Sequence, residues 1–171
     1  MREVVNTLFY QNKTGCQWNM LPHDLLPKSK VYGYYRAWEQ DGTWQRILDK
    51  LRNQVRQDLG KQASPSVASV DSQSVKTTPV GGEERGYDGG KKVKGRKRHI
   101  VVDSMGLLLA VAVTSAAVDD AKGAQQVLGQ LDRQRHGRLK YVYADNKYHN
   151  KELRLWLRVT VHPTRETDTP S

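Results

Sequence analysis

Two short apolar runs that each close on an aspartate constrain this chain more than any other feature. Val67, Ala68, Ser69 and Val70 lead into Asp71, and Tyr141, Val142, Tyr143 and Ala144 lead into Asp145. β-branched and aromatic residues at this density favour pleated strands. A carboxylate at the end of such a strand packs badly, because burying a charge costs several kcal/mol unless it is paired or bound to metal. If the two strands lie side by side, their hard oxygen donors suit Mg²⁺ or Mn²⁺. Each aspartate also reads as an ordinary turn initiator, and spacing alone leaves both readings open. Between them in sequence lies Lys91-Lys92-Val93-Lys94-Gly95-Arg96-Lys97-Arg98, six cations in eight positions. Such a run is either a solvated hairpin or a surface that contacts phosphates. Carboxylates for metal beside cations for phosphate point to phosphoryl transfer on nucleic acid.

The overall charge agrees with a polyanionic partner. The 171 residues carry 28 basic and 18 acidic side chains, a formal charge of +10. That balance speaks to partners and not to fold. The length fits one domain, or one domain with a small appendage. No apolar run approaches the ~20 residues of a membrane span, and Met1-Arg2-Glu3-Val4 lacks the apolar core of a signal peptide. No membrane partner is expected. The single cysteine, Cys16, fits a reducing cytosol and reads as a small buried hydrophobe. His23, His99, His136, His149 and His162 show no zinc spacing. The Gly-rich stretch 81–90 is not a phosphate-cradling loop, since no Gly-Lys-Ser/Thr follows a strand.

Periodicity divides the chain. Val4, Val5, Leu8 and Phe9 predict a short helix ending near Gly15. Ser29 is placed to cap a helix with Val31, Tyr34, Tyr35 and Trp38 inward, and Asp41-Gly42 breaks it. Thr43 is placed to cap the next helix, along which Trp44, Ile47, Leu48, Leu51 and Val55 recur at helical spacing. Two such helices fit a helix-turn-helix DNA reader and fit an ordinary helical hairpin equally well. Residues 1–62, with 10 basic and 6 acidic side chains, do not separate the two readings. The aromatic stripe reads as core. A polar junction at residues 62–66 then separates a helical domain, 1–62, from a mixed domain, 63–158. Residues 159–171 lack helical periodicity and read as a disordered tail.

In the mixed domain the pattern predicts a strand over 66–72, then an excursion through Gly81, Gly82, Gly86, Gly89 and Gly90. A second strand follows over 98–103, a turn at Met105-Gly106, and a third strand over 107–114. The unbroken Leu/Ala/Val run of the third strand predicts burial on both faces. Asp119 caps a helix that turns Ala121, Ala124, Val127, Leu128 and Leu131 inward and ends at Gly137. A fourth strand over 139–144 and a helix over 150–156 complete the order β-β-β-α-β-α. The expected class is α+β/α/β: an antiparallel meander, then a crossover that sets the fourth strand parallel to the first. This is the ribonuclease-H-like order, and it brings Asp71 and Asp145 to adjoining strand ends. The fourth strand becomes a sheet edge unless residues 159–161 add a fifth. An open edge invites another chain and predicts marginal stability. Asp103 reads as a turn residue, Glu152 as a solvated helix residue, and Glu166 and Asp168 as parts of the polar tail.

Longer motifs carry a resemblance. Val70-Asp71-Ser72-Gln73-Ser74-Val75-Lys76-Thr77 and the stretch from Gly86-Tyr87-Asp88 through Lys97-Arg98-His99-Ile100-Val101-Val102-Asp103 resemble bacterial insertion-sequence transposases. The similarity is to the DDE class with a ribonuclease-H-like core, in its insertion-sequence-five branch. Thr14-Gly15-Cys16-Gln17-Trp18-Asn19-Met20-Leu21-Pro22, the stretch from Val31 to Trp38, and Asp41-Gly42-Thr43-Trp44 resemble the amino-terminal domain of that branch. The resemblance covers about residues 2–157. It implies that Asp71 and Asp145 are the first and second catalytic, metal-holding aspartates, served by Mg²⁺ or Mn²⁺. It implies terminal inverted repeats and target DNA as partners, strand cleavage followed by transfer from a freed 3′-hydroxyl, and a bacterial cytoplasmic, nucleoid-associated setting. It also implies a homo-oligomer or pairing with intact transposase subunits. For DNA contact the sequence offers Lys91, Lys92, Lys94, Arg96, Lys97 and Arg98. There are two departures. Asn146-Lys147 stands where the family carries a small residue, and no Glu on a late helix follows Asp145. The expectation is a C-terminally truncated transposase; the alternatives are an inactive DNA-binding or inhibitory relative and a decayed gene product.

Overall fold

The change from helical to two-residue periodicity marks where the chain passes from helices to sheet. The structure, a computed structural model, describes residues 1–77, 85–132, 135–145, 148 and 151–160. Residues 1–51 form one compact unit and residues from 52 onward a second.

The first unit contains α1 (Arg2–Thr14), a 3₁₀ turn (Trp18–Met20), α2 (Lys28–Gln40) and the beginning of α3 (Thr43–Asp58). α1 stops at Gly15, whose φ of 65° lies in the left-handed region that glycine enters without strain. Val4, Leu8 and Val31 form its buried centre, ringed by Trp18, Tyr34, Tyr35, Trp38 and Trp44. Trp38 and Trp44 meet edge to face at 5.1 Å, so the aromatic stripe is core, as its spacing predicts. Neither expected cap is used. α2 starts at Lys28, after Pro27, and Ser29 lies inside it. A proline there supplies a preset φ and needs no amide partner. At α3 the acceptor is Asp41, whose carboxylate takes the Thr43 amide at 2.8 Å.

The division between the units falls inside α3, ahead of the polar junction at 62–66. Arg52 and Arg56, both buried, explain this. Arg52 donates to the Leu108 carbonyl at 3.2 Å. Arg56 donates to the Gln62 carbonyl at 2.8 Å and pairs with the buried carboxylate of Asp103. Long basic side chains hold this end of α3 within the second unit.

That unit holds β1 (Val67–Lys76), β2 (Gly86–Asp88), β3 (Val93–Asp103), β4 (Leu108–Ser115), α4 (Asp120–Gly129), β5 (Tyr141–Ala144) and α5 (Lys151–Thr160). The five strands form one mixed sheet, compatible with a ribonuclease-H-like core. β1 is internal: it pairs antiparallel with β3, with Asp71 opposite Ile100, and parallel with β5, with Val70 opposite Ala144. β4 pairs with the other side of β3. β2 meets β3 at Gly95, where β1 already occupies one side, so β2 extends the edge that β4 occupies. β2 is a strand within what the sequence reads as a Gly-rich excursion; Gly81 and Gly82 of that excursion lie outside the described residues.

β4 departs from expectation. Val111 and Val113 are 44% and 52% exposed, while Ala110, Ala112 and Thr114 are buried. Its apolar run is therefore buried on one face only, because α4 covers one face. Asp119 does cap α4, accepting from the Ala121 amide at 2.8 Å, but the helix ends at Gly129 and not at 137. Residues 159 and 160 continue α5 and do not begin a fifth strand; residues 161–171 lie outside the described residues. Among the described residues β5 pairs only with β1.

Small residues let α4 settle close to the sheet. Ala68, Val70, Val101, Ala110 and Ala112 meet Ala121, Ala124, Val127 and Leu128 in the core. At Gly123 the approach is closest, and a Cβ there would stand 2.0 Å from the fully buried His99 ring. That ring is held by the Thr114 hydroxyl, 3.0 Å from its Nε2. Gly123→Ala therefore destabilises the unit by about 1–3 kcal/mol through overpacking, despite alanine's better helix propensity; urea unfolding followed by circular dichroism measures it. Arg56→Ala leaves Asp103 buried without its cation and costs about 3–5 kcal/mol in the same assay.

Candidate functional site

Strand alternation builds the site. Ala68, Val70 and Ser72 of β1 turn toward α4 and are buried, so Asp71 and Gln73 turn to the opposite, exposed face. The parallel register aligns Val70 with Ala144, the residues directly before Asp71 and Asp145. Both aspartates are exposed. Asp71 Oδ1 accepts the Ser72 amide at 2.7 Å, and the Asp145 carbonyl accepts the Tyr148 amide at 2.9 Å.

Tyr148 reports how the acids are gathered. It is 4% exposed, and its phenol is pushed up to about 12. Burial is the main cause; the negative charges of Asp120, Asp71 and Asp145 add to it, and a hydrogen bond with Ser72 opposes it. Three carboxylates from β1, the start of α4 and the end of β5 thus act on one hydroxyl. Beside Asp71 lies a cavity of about 180 Å³ lined by Asp71, Ser72, Gln73, Arg98 and Ile100. Arg98 reaches its rim and donates to Gln73 Oε1 at 2.5 Å.

Behind Asp71, on the α4 side of the sheet, is a buried polar network. Ser72 Oγ donates to Asp120 at 2.8 Å. Lys97 Nζ lies 3.0 Å from Asp120 and 3.2 Å from Asp88, and donates to the Val118 carbonyl at 2.9 Å. Ser74 donates to Asp88 at 2.5 Å, and Lys91 Nζ donates to the Ser72 carbonyl at 2.7 Å. The Ser74 hydroxyl, the Lys91 amide and Lys97 hold the Asp88 carboxyl well below the ordinary carboxylate range, against the opposing effect of burial.

The basic run therefore does not act as one surface. Lys94 and Arg98 are exposed and Arg96 half-buried on the face that carries Asp71, and Lys92 is exposed in the turn before β3, at φ 53°. Lys91 is tied to Ser72. Lys97 corrects the sequence expectation: at 5% exposure, between two carboxylates, it cannot meet a phosphate. The same alternation that exposes Arg96 and Arg98 sends Lys97 inward. Asp103 is buried at the far end of β3, where it accepts the Met105 and Leu107 amides at 2.9 Å each, the turn role its position predicts. Glu152 is exposed on α5. Asn146, Lys147, Glu166 and Asp168 lie outside the described residues. Among the described residues no group of three His, Cys, Asp or Glu side chains could hold a metal ion. Sequence reading passed over Ser72, Asp88, Asp120 and Tyr148. The parity of β1 was the available signal for Ser72, and the second acid after the Asp119 cap was the signal for Asp120.

Residues 62–166 match the transposase DDE domain family, and residues 1–48 match a family described as putative transposases of the IS4/5 family. The chain belongs to the DDE transposase family. No curated protein and no solved structure matches it. A DDE transposase is a protein of mobile insertion sequences, and the family as a whole depends on divalent metal and acts on DNA. No described helix of this transposase is long and apolar enough to cross a membrane.

The gathered acids give a pH test. Because the folded phenol of Tyr148 titrates higher than the ordinary ~10 of an unfolded tyrosine, its contribution to stability is complete below pH ~10. The contribution falls as pH rises toward about 12. In ¹³C-tyrosine NMR, with Tyr148→Phe as the assignment control, Asp71→Asn and Asp145→Asn each lower the Tyr148 midpoint.

Proposed function

We propose that residues 63–158 are the ribonuclease-H-like phosphoryl-transfer domain of a bacterial insertion-sequence transposase, with Asp71 and Asp145 as its catalytic, metal-holding pair. The observation that carries this reading is the parallel register of β1 and β5, which pairs Val70 with Ala144, the residues directly before two exposed carboxylates from distant parts of the chain. The donor set fits Mg²⁺ or Mn²⁺: hard oxygens, open to water, on an ion that needs only one or two protein carboxylates. When bound, such an ion supplies Lewis-acid assistance at phosphorus. The chain's own residues do the rest. Arg98, at the rim of the cavity beside Asp71, is placed for a phosphate oxygen, and Lys94, Arg96 and Lys92 extend the cationic path. These contacts give affinity and salt dependence without reading sequence. Residues 1–62 bind the terminal inverted repeats, and target DNA takes the strand transfer. The β5 edge offers pairing to a second copy or to an intact transposase subunit, within the bacterial cytoplasm at the nucleoid.

A second reading is a relative that binds element ends without cutting them. Its support is that two carboxylates, and no third metal-binding group with them, stand together among the described residues.

The test uses the purified chain with a terminal-repeat duplex and Mn²⁺. The expected result is Mn²⁺ binding, read by electron paramagnetic resonance, that weakens by at least about tenfold in Asp71→Asn and in Asp145→Asn. Nicking of the duplex that disappears in Asp71→Ala supports the phosphoryl-transfer reading. Duplex binding without nicking supports the second. Equal Mn²⁺ affinity in all variants sinks the metal assignment.

A further inference from the structure

Ser72 makes polar contacts through its amide, its carbonyl and its hydroxyl, and each joins a different part of the network. Its amide donates to Asp71 Oδ1 at 2.7 Å, its carbonyl accepts Lys91 Nζ at 2.7 Å, and its hydroxyl donates to Asp120 at 2.8 Å. Asp120 in turn is held by Lys97 at 3.0 Å, and Lys97 also grips Asp88 at 3.2 Å and the Val118 carbonyl at 2.9 Å. A continuous path of hydrogen bonds therefore runs from the exposed carboxylate of Asp71, through the strand, to a buried ammonium. Lys97 and Ser72 are both 5% exposed, so water competes poorly for these contacts.

Such a path does more than fill space. A carboxylate on the exposed face of a strand has free rotation about its side-chain bonds, and a ligand must be held within about 0.5 Å of its working position to serve a metal well. Ser72 follows Asp71 directly, so fixing the hydroxyl and carbonyl of Ser72 fixes the amide that orients the carboxylate. Lys97 holds the Asp120 carboxylate in place beside that hydroxyl. Without it, the charges of Asp88 and Asp120 would lose the cation they share, and the carboxylates would move apart.

We infer that Ser72, Asp120 and Lys97 form a positioning relay that orients the Asp71 carboxylate for a divalent cation, with Lys97 acting from inside the sheet and not as a DNA contact. The inference rests on Asp71 being a metal-holding residue, as proposed above.

The test compares Mn²⁺ affinity, measured by electron paramagnetic resonance on the full chain, in wild type, Ser72→Ala, Ser72→Thr, Lys97→Met and Asp71→Asn. Each variant is measured at a temperature where its circular dichroism matches wild type. The expected result is a loss of about 10-fold or more in Ser72→Ala and in Lys97→Met, in the range that groups supporting a metal ligand typically give. Ser72→Thr, which keeps the hydroxyl, restores affinity to near wild type. A purely structural role lowers the melting temperature of Ser72→Ala and Lys97→Met but leaves their Mn²⁺ affinity unchanged, and that result overturns the relay. Should Asp71→Asn bind Mn²⁺ as well as wild type, the metal assignment itself fails and the relay falls with it. Loss in Asp71→Asn with none in the other variants removes the relay alone.

Discussion

Pairing β1 on both of its edges is the constraint from which the rest of the second unit follows. Over residues 68–70 the strand has a partner on each edge, and its side chains alternate between the two faces of the sheet. Ala68, Val70 and Ser72 go one way and Asp71 and Gln73 the other. The antiparallel partner arrives through a local meander, but a parallel partner on the remaining edge requires a crossover, and α4 supplies it. Once α4 must lie over β1, β3 and β4, that face must be apolar and shallow. This explains the alanines along the interface and the glycine opposite His99. The face left open then receives whatever cannot be buried, including Asp71.

Two buried ion pairs hold the edges of this arrangement. Arg56 and Asp103 close the end where α3 meets the β3–β4 turn, and Lys97 with Asp88 and Asp120 closes the end where the β2–β3 turn meets α4. Buried pairs of this kind are weak sources of net stability, because desolvation offsets most of their attraction, yet losing one partner is severe. Their value here is geometric. A salt bridge surrounded by hydrogen bonds admits one arrangement of its strands, whereas an interface of alanine and valine tolerates slippage. The network around Lys97 also contacts the residue next to Asp71, so the same groups that set register set the environment of the exposed acid.

Much of this was legible in the sequence, and the gaps have physical causes. The β runs that lead into Asp71 and Asp145, the Asp119 cap, the apolar face of α4 and the aromatic core of the first unit are all read from period and residue type, but β1 does not close at Asp71 and runs on to Lys76. Lys97 was misassigned because a run of cations was read as one object, when a strand splits any run into two faces. Val111 and Val113 were expected to be buried because an unbroken apolar run does not say how many faces have a cover. Ser29 and Thr43 were plausible caps by composition, but Pro27 and Asp41 reached the helix starts first. Tyr148 could not be found from sequence, since its meaning lies in carboxylates contributed by β1, α4 and the end of β5.

Tyr148 also settles what kind of charge the site presents. Like any phenol it is uncharged at neutral pH. Burial, with the three acids adding to it and Ser72 opposing, raises its titration to about 12. The site's negative charge is then carried by the carboxylates. Asp120 lies 3.0 Å from Lys97, while Asp71, within β1, and Asp145, directly after β5, are exposed. The raised phenol and the hydrogen-bonded relay belong to one arrangement, in which Ser72, Asp120 and Lys97 bond to one another on the inner face while Asp71 and Asp145 stand exposed.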